Sequence, residues 1–254
     1  MRYGVCGGPE IAGVVADAGF EFLEMGVSRF LKPREDEAAF REMLSAARAM
    51  PIPCEACNGF VPGDLKITGP DADLAALKEY VTTACRRAGE AGVRTIVFGS
   101  GGARQIPDGF SREEAHRQIV AFCRMLGPIA EEHAVTIAVE PLNSHDCNVL
   151  TSVGEAAVLV LETDHPAIRL LVDAYHWAVD NDSAEDIVAN GSLLAHVHIA
   201  TPGRRAPGAE ECDFGPFFDA LKRGGYDGRV SIEAGMSDPA RDLPRAFETL
   251  QALG

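Results

Sequence analysis

The sequence predicts an α/β fold, a single (β/α)8 TIM barrel that spans residues 1–254. Short apolar runs that suit buried parallel strands alternate with segments of helical periodicity. Eight such strand–helix pairs follow one another at roughly thirty residues per pair, which is the size of a barrel unit. No linker or low-complexity segment interrupts them. The alternative fold is a doubly wound open sheet, which normally has fewer strands and a recognisable glycine-rich binding sequence in its first turn.

The first predicted strand covers residues 2–6 and leads through a glycine-rich turn into a helix that runs from Pro9 to about Ala18, since proline is tolerated in the first helical turn. Apolar residues three and four positions apart, such as Phe40, Met43 and Leu44, predict a helix at 35–50. The remaining elements of this half are strands at 20–25, 53–58 and 93–98 and a helix at 71–91.

A long loop at residues 59–70 follows the third strand. Long structured loops in compact domains often carry function. We interpret the loop as a lid over a pocket, with Phe60 or Leu65 as apolar contacts, and a plain surface excursion is the alternative. The glycine-rich segment 99–102 lacks the spacing of a phosphate-binding or dinucleotide-binding loop and predicts a sharp turn.

In the second half, Ser111 and Glu114 form a capping-box pattern that predicts the start of a helix running to about His133. The strands that follow are predicted at 136–140, 168–172, 194–198 and 229–233, and the helices at 152–162, 183–189, 214–223 and from 239 onward. The order of strands and helices therefore stays regular along the chain.

Each of these last four strands ends on a carboxylate or an imidazole, namely Glu140, Asp173, His198 and Glu233. A buried parallel strand ordinarily consists of Val, Ile and Leu, so a polar residue at the same end of four strands needs a common reason. The carboxyl ends of the strands form the active-site face of such a barrel. Three carboxylates and one imidazole suit Mn²⁺, Mg²⁺, Co²⁺ or Zn²⁺. The sequence therefore predicts one divalent-metal site.

Two further polar residues lie close to this set. His196 shares a strand face with His198 and is predicted to support the site from deeper in the barrel rather than to bind the metal. Glu24, near the end of the second strand, is predicted to be a solvated or hydrogen-bonded carboxylate, and entry into the site is the alternative.

The composition excludes some classes of partner. A formal net charge of -15 argues against nucleic acid and acidic membrane surfaces, which attract basic patches. The chain has no apolar run of the ~18 residues that a transmembrane helix needs, and its first residues turn glycine-rich too early for a secretory signal. We therefore expect a cytoplasmic protein whose seven cysteines are free thiols.

Several segments resemble the xylose-isomerase-like barrel superfamily of sugar isomerases and epimerases. They are VEPLN at 139–143, DAYH at 173–176, HVHIATPGRR at 196–205, IE at 232–233 and PGDLK at 62–66. The ketose 3-epimerases related to tagatose 3-epimerase are the most similar branch, and hydroxypyruvate isomerase is near it. The resemblance implies a small-molecule sugar or sugar-phosphate substrate and a homo-oligomer. Arg104, Arg204 and Arg205 could reach a phosphate, and surface arginines without this role are the alternative.

The resemblance also implies roles for the four strand-end residues. Glu140 and Glu233 would bind the metal, Mn²⁺ as the first choice, and move the proton, while Asp173 and His198 would complete the ligand set. A glutamate of ordinary pKa, about 4.3, is too weak a base to remove a proton beside a ketone unaided. The metal would stabilise the enediolate that forms, and delivery of a proton to the opposite face would invert the carbon.

Three more residues would contact the substrate. His176 matches a histidine that contacts substrate oxygens, and Arg204 matches an arginine that positions the substrate. Asp146 stands where this branch commonly has a glutamate that contacts the sugar, and Thr201 replaces another common glutamate. These two departures leave the exact substrate open.

Four other functions remain as alternatives. An aldose–ketose or hydroxypyruvate-type isomerase results if only one glutamate reaches the carbon chain, and a dehydratase of the inosose or dehydroshikimate type would use a similar metal set. An apurinic endonuclease needs additional histidines on early strands, where Asn58 and Gly99 stand instead. A non-catalytic sugar-binding barrel would not need two glutamates.

Overall fold

A computed structural model of the chain describes residues 1–254. Eight parallel strands form a closed barrel in which each strand pairs with the next and the last pairs with the first. Strands β1 to β8 span Arg2–Cys6, Phe22–Gly26, Cys54–Asn58, Thr95–Phe98, Thr136–Val139, Ile168–Asp173, Leu194–Ile199 and Arg229–Ile232. The predicted (β/α)8 barrel is confirmed, and the open sheet is excluded because β1 and β8 close it.

Eleven α-helices surround the barrel. Helices α1 to α11 span Ala12–Asp17, Val27–Phe30, Glu37–Arg48, Leu74–Ala91, Gly101–Arg104, Arg112–Glu132, Val153–Thr163, Ala174–Val179, Ala184–Ala189, Gly215–Arg223 and Pro239–Leu253. Two 3-10 turns, Pro9–Ile11 and Gly191–Leu193, precede α1 and β7. No helix combines the length and the apolar composition that crossing a bilayer requires.

Three short helices follow strand ends at the carboxyl face and were not predicted. They are α2, α5 and α8, of four, four and six residues. Helices this short show no measurable hydrophobic period. The segment 99–102 is therefore not a plain turn, because α5 begins inside it, after Ser100 in the left-handed conformation at φ 45°.

Side-chain caps define where the longer helices begin. Asp73 accepts hydrogen bonds from the backbone amides of Ala75 and Ala76 at the start of α4. Ser111 accepts one from the Glu114 amide at the start of α6, as the capping-box pattern predicted. Each such cap stabilises its helix by about 1 kcal/mol. The start of α6 was predicted from its cap, whereas α4 begins at Leu74, three residues after the predicted start at residue 71.

The barrel interior is filled in layers from the amino end to the carboxyl end of the strands. Glu55 binds Arg2 and Arg229 at the amino end. Above them the ring of Phe22 fills the barrel because Gly4 has no side chain: a Cβ on Gly4 would lie 2.3 Å from that ring. The polar residues of the site occupy the upper layers.

Candidate metal centre at the barrel mouth

Four strand-end side chains meet at the carboxyl end of the barrel. One ligand atom from each lies within 4.8 Å of every other, and the set consists of Glu140, Asp173, His198 and Glu233. They come from the ends of the consecutive strands β5 to β8. The structure thus brings together all four residues that the sequence selected as metal ligands.

The strand ladder holds the two glutamates in place. The backbone amide of Glu140 donates to the carbonyl of Phe98, at 3.1 Å, and that of Glu233 donates to the carbonyl of Ile199, also at 3.1 Å. Each glutamate therefore continues the hydrogen bonding of its strand by one residue. Their side chains approach the centre from β5 and β8, the two outer strands of the four.

The hydrogen bonding of Asp173 indicates that this group of side chains fits a cation. Its Oδ1 atom accepts a hydrogen bond from the Tyr175 amide at 2.9 Å and caps α8. Its Oδ2 atom is buried and has no hydrogen-bond partner. An unsatisfied buried carboxylate oxygen is costly. The mixed oxygen and nitrogen donors around it suit a divalent cation, so the residues fit the metal that the sequence predicts.

The imidazole of His198 lies between two carboxylates. Its Nδ1 atom is 3.0 Å from Oε1 of Glu140, and its Nε2 atom is 2.8 Å from Oε1 of Glu24. The second Glu24 oxygen, Oε2, lies 2.7 Å from Nε2 of His196. His196 thus lies outside the four-residue cluster, at the deeper position predicted for it, and Glu24 is hydrogen-bonded and fully buried rather than solvated.

Glu233 is held on both carboxylate oxygens. Asn58 donates from Nδ2 to Oε1 at 3.3 Å, and Arg204 donates from Nη2 to Oε2 at 2.6 Å. The Arg204 guanidinium also stacks over the Tyr175 ring, 4.4 Å from its centroid. Sequence reasoning missed Asn58 as a site residue, although it is the last residue of β3, because the strand-end criterion used for β5 to β8 considered carboxylates and imidazoles but not amides.

His176 and Asp146 form a second polar group at the mouth. The backbone amide of Asn143 donates a hydrogen bond to Nδ1 of His176 at 3.1 Å, so the ring proton of a neutral His176 lies on Nε2. That Nε2 atom is 3.7 Å from Oδ2 of Asp173. Asp146 accepts a hydrogen bond from the Asn143 side chain at 2.9 Å and is half-exposed. Both predicted substrate contacts therefore lie beside the cluster, with Asn143 between them.

The burial of so many carboxylates perturbs their protonation. Burial, with the neighbouring Glu233 and Glu140, raises the pKa of Asp173 from 3.8 to about 8. Burial also raises the pKa of Glu233, and Glu140 adds to the effect. Burial acts in the same direction on Glu140, but the hydrogen bond with His198 and the nearby charges of His198, His176 and Arg104 together outweigh burial and lower the pKa of Glu140. Without a cation, burial and mutual repulsion therefore disfavour the ionised form of Asp173 and Glu233.

Two expectations about side chains near the mouth are wrong. Arg104 cannot reach a phosphate, because it is fully buried and donates to the backbone carbonyls of Phe98 and Glu140. Phe60 is not an apolar contact of a lid, because its side chain is fully buried in the core. The loop that contains it is fixed to the neighbouring turn, where the Val61 amide donates to Oγ of Ser100 at 2.9 Å.

Comparison with known proteins gives a consistent family assignment. The family model described as xylose isomerase-like TIM barrel matches residues 13–253. A 3-dehydro-D-guloside 4-epimerase of Escherichia coli is 31% identical over 121 residues, and an L-ribulose 3-epimerase of Methylomonas is 30% identical over 133 residues. These matches cover 46% and 52% of this chain, and the chain spans about half the length of each relative, 46% in both cases.

Solved structures show the same fold. The apo structure of 3-keto-D-glucoside 4-epimerase from E. coli superimposes with a TM-score of 0.83 and covers 99% of both chains, at 21% sequence identity. An identity this low supports the shared barrel alone.

Proposed function

The chain belongs to the xylose isomerase-like TIM-barrel family, and we propose that it is a divalent-metal-dependent sugar epimerase, most specifically a ketose 3-epimerase. The observation that carries the proposal is the position of Glu140 and Glu233. They come from β5 and β8, with Asp173 and His198 on the strands between them, and all four share one centre. Two carboxylates that approach from different strands can serve the two faces of one substrate carbon.

Glu140, Asp173, His198 and Glu233 would hold the cation, with Mn²⁺ as the first choice and Mg²⁺, Co²⁺ or Zn²⁺ as alternatives. When bound, the cation supplies a Lewis acid beside the ketone oxygen and an adjacent hydroxyl. The ordinary basicity of a glutamate then suffices to take the neighbouring carbon-bound proton. One of the two glutamates removes this proton to give an enediolate, and the other returns a proton to the opposite face.

The surrounding residues position these groups. Asn58 and Arg204 fix both oxygens of Glu233, so its carboxylate cannot rotate freely. The Nε2–H of His176 has no hydrogen-bond acceptor nearer than Oδ2 of Asp173 at 3.7 Å and can donate to a substrate oxygen. Asp146 is exposed enough to meet a sugar hydroxyl at the rim. These contacts orient a polyhydroxylated substrate over the centre.

The relatives suggest two kinds of ketone substrate. One acts on L-ribulose at C3 and the other on a 3-dehydro-guloside at C4. Both reactions invert a carbon adjacent to a ketone, which is the chemistry that two glutamates permit. A keto-glycoside 4-epimerase is therefore the second candidate function. The net charge of -15 supports a sugar over a nucleic acid in either case.

Isotope exchange tests the proposal. The protein loaded with Mn²⁺ is incubated in D₂O with free ketohexoses, ketopentoses and 3-keto-glycosides, and products are followed by NMR. We expect a C3 epimer of a free ketose, with deuterium at the inverted carbon. An aldose product would indicate an isomerase, and an enone would indicate a dehydratase. A lack of exchange with every substrate, in protein that binds Mn²⁺, would contradict the proposed function.

A further inference from the structure

Glu24 is a buried carboxylate without an arginine or lysine partner. It lies on β2, its exposed fraction is 0%, and its ion-pair contacts are His196 and His198. A charged group this deep persists only when its oxygens are satisfied. Here each oxygen has one imidazole nitrogen within hydrogen-bond distance, at 2.7 and 2.8 Å. The arrangement therefore fixes the protonation of both rings.

The direction of these hydrogen bonds follows from the chemistry of the groups. An ionised carboxylate only accepts hydrogen bonds, so Nε2 of His196 and Nε2 of His198 must both carry protons. In a neutral His198 ring, Nδ1 then bears the lone pair. That Nδ1 atom lies 3.0 Å from Oε1 of Glu140 and 3.7 Å from Oε2 of Glu233. The ring thus directs Nδ1 toward the cluster of four, where this nitrogen can bind a cation in the neutral form of the ring.

We propose that Glu24 is a positioning residue that fixes the orientation and tautomer of His198, so that Nδ1 is available to the divalent cation. This inference rests on the proposed function, because it assumes a cation among Glu140, Asp173, His198 and Glu233. A carboxylate that holds the second nitrogen of a metal-binding histidine raises the basicity of the ligand and restricts its rotation. Glu24 supplies this contact from β2, across the barrel interior from His198 on β7.

His196 keeps Glu24 in this role. Cys6, Glu24 and His198 form a second group whose ligand atoms lie within 4.8 Å of one another, so Glu24 is close enough to compete for a cation. The hydrogen bond from His196 occupies Oε2, and Ser231 Oγ lies 3.2 Å from the same His196 nitrogen. Glu24 is accordingly not a member of the group formed by Glu140, Asp173, His198 and Glu233. Glu24 therefore acts through His198 and does not itself bind the cation.

The protonation state of His198 can be measured in the unmodified chain. Long-range ¹H–¹⁵N NMR of the Zn²⁺-loaded protein separates a protonated ring nitrogen from a metal-bound one. We expect the His198 ring to retain a proton on Nε2, shifted downfield by the carboxylate, and to bind Zn²⁺ through Nδ1. A His198 ring that binds Zn²⁺ through Nε2, or that carries no Nε2 proton, would overturn the inference.

Glu24→Gln tests the same contact through cation affinity. A glutamine side chain can accept from one imidazole but must donate to the other, so one of the two histidines has to change tautomer. Titration of metal-free protein with Mn²⁺, followed by electron paramagnetic resonance, should show an affinity about 10- to 100-fold lower. The matched control is Glu55→Gln, a barrel carboxylate at the amino end that binds Arg2 and Arg229, and it should leave the affinity unchanged.

Glu24→Asp separates position from charge. Aspartate keeps the negative charge but is too short to reach both imidazoles, so we expect a loss of affinity similar to that of Glu24→Gln. Full affinity in Glu24→Asp would show that only charge matters and would overturn the inference. If the wild type itself fails to bind Mn²⁺, the proposed function fails instead. Circular dichroism of each variant establishes that it is folded before titration, and the wild-type NMR measurement decides the question if neither variant folds.

Discussion

Arg204 donates a hydrogen bond to Oε2 of Glu233 at 2.6 Å while its guanidinium stacks 4.4 Å above the Tyr175 ring. The resemblance treats this arginine as a substrate contact and this glutamate as an acid/base group. The structure shows that the two side chains are hydrogen-bonded to each other and that the Tyr175 ring packs against the Arg204 guanidinium. Cation–π contacts and charged hydrogen bonds reinforce each other in such an arrangement.

Arg204→Ala should mainly weaken substrate binding. The loss of a charge-assisted hydrogen bond between the guanidinium and the substrate costs about 1.5–3 kcal/mol of binding free energy. This cost corresponds to a rise in KM of about 10- to 150-fold. We expect a smaller decrease in kcat, because Asn58 still holds the other oxygen of Glu233. Steady-state kinetics on the ketose that the isotope test identifies measures both. Arg245→Ala, which removes an exposed arginine on α11, serves as control, and an unchanged KM in Arg204→Ala would remove Arg204 from substrate binding.

Glu233→Gln should nearly abolish turnover. Removal of a general acid or base typically lowers the rate by about 10²- to 10⁴-fold, and the lost negative charge should also weaken cation binding. Measurements of kcat at saturating Mn²⁺ separate these two effects. Glu248→Gln on α11 removes an equal charge far from the mouth and should retain full activity. Substantial turnover by Glu233→Gln would exclude Glu233 from proton transfer.

Gly99→Ala should disturb Glu140 without changing the fold. A Cβ at position 99 would lie 2.3 Å from Oε2 of Glu140, too close for any real contact, and would lie 3.5 Å from a methyl of Leu142. The carboxylate must therefore move, and we expect weaker cation binding and a lower kcat. Calorimetric titration with Mn²⁺ measures the first effect. Gly13→Ala, whose Cβ would meet nothing within 4 Å, is the matched control and should bind Mn²⁺ like the wild type.

The stability of the metal-free protein should fall as pH rises between about 4 and 8. In the folded chain the pKa of Asp173 is raised from 3.8 to about 8 by burial and by Glu233 and Glu140. Between these values the folded state keeps a proton that the unfolded chain has lost. The contribution of Asp173 to the free energy of unfolding is therefore fully present below pH 3.8 and is lost as the pH rises through about 8. Burial lowers the pKa of His198, but nearby carboxylates raise it well above 6.5. His198 therefore adds to the decrease in stability with rising pH.

Thermal denaturation in the presence of a chelator checks this pH dependence. The melting temperature should decrease from pH 5 to pH 8, and Asp173→Asn should flatten the decrease because asparagine does not titrate. Saturating Mn²⁺ should reverse the trend, since cation binding requires the deprotonated carboxylate. A melting temperature of the metal-free wild type that rises over this range would contradict the prediction.

The regular parts of this protein were accessible to sequence reasoning. The period of the strand–helix unit predicts the barrel and the cap at Ser111 predicts a helix start, because hydrophobic spacing and capping are local properties. The short helices α2, α5 and α8 were missed because they are shorter than the window that periodicity needs. Arg104 was misjudged because burial depends on neighbours that the local sequence does not reveal.

The sequence by itself determined the barrel and the four strand ends that carry Glu140, Asp173, His198 and Glu233. Only the tertiary structure decided the partners of these residues. Glu24 meets His196 across 172 residues of chain, and Asn58 meets Glu233 across 175. Such pairs form because barrel closure brings early strands opposite late ones, and no local pattern encodes which side chains then face each other across the interior.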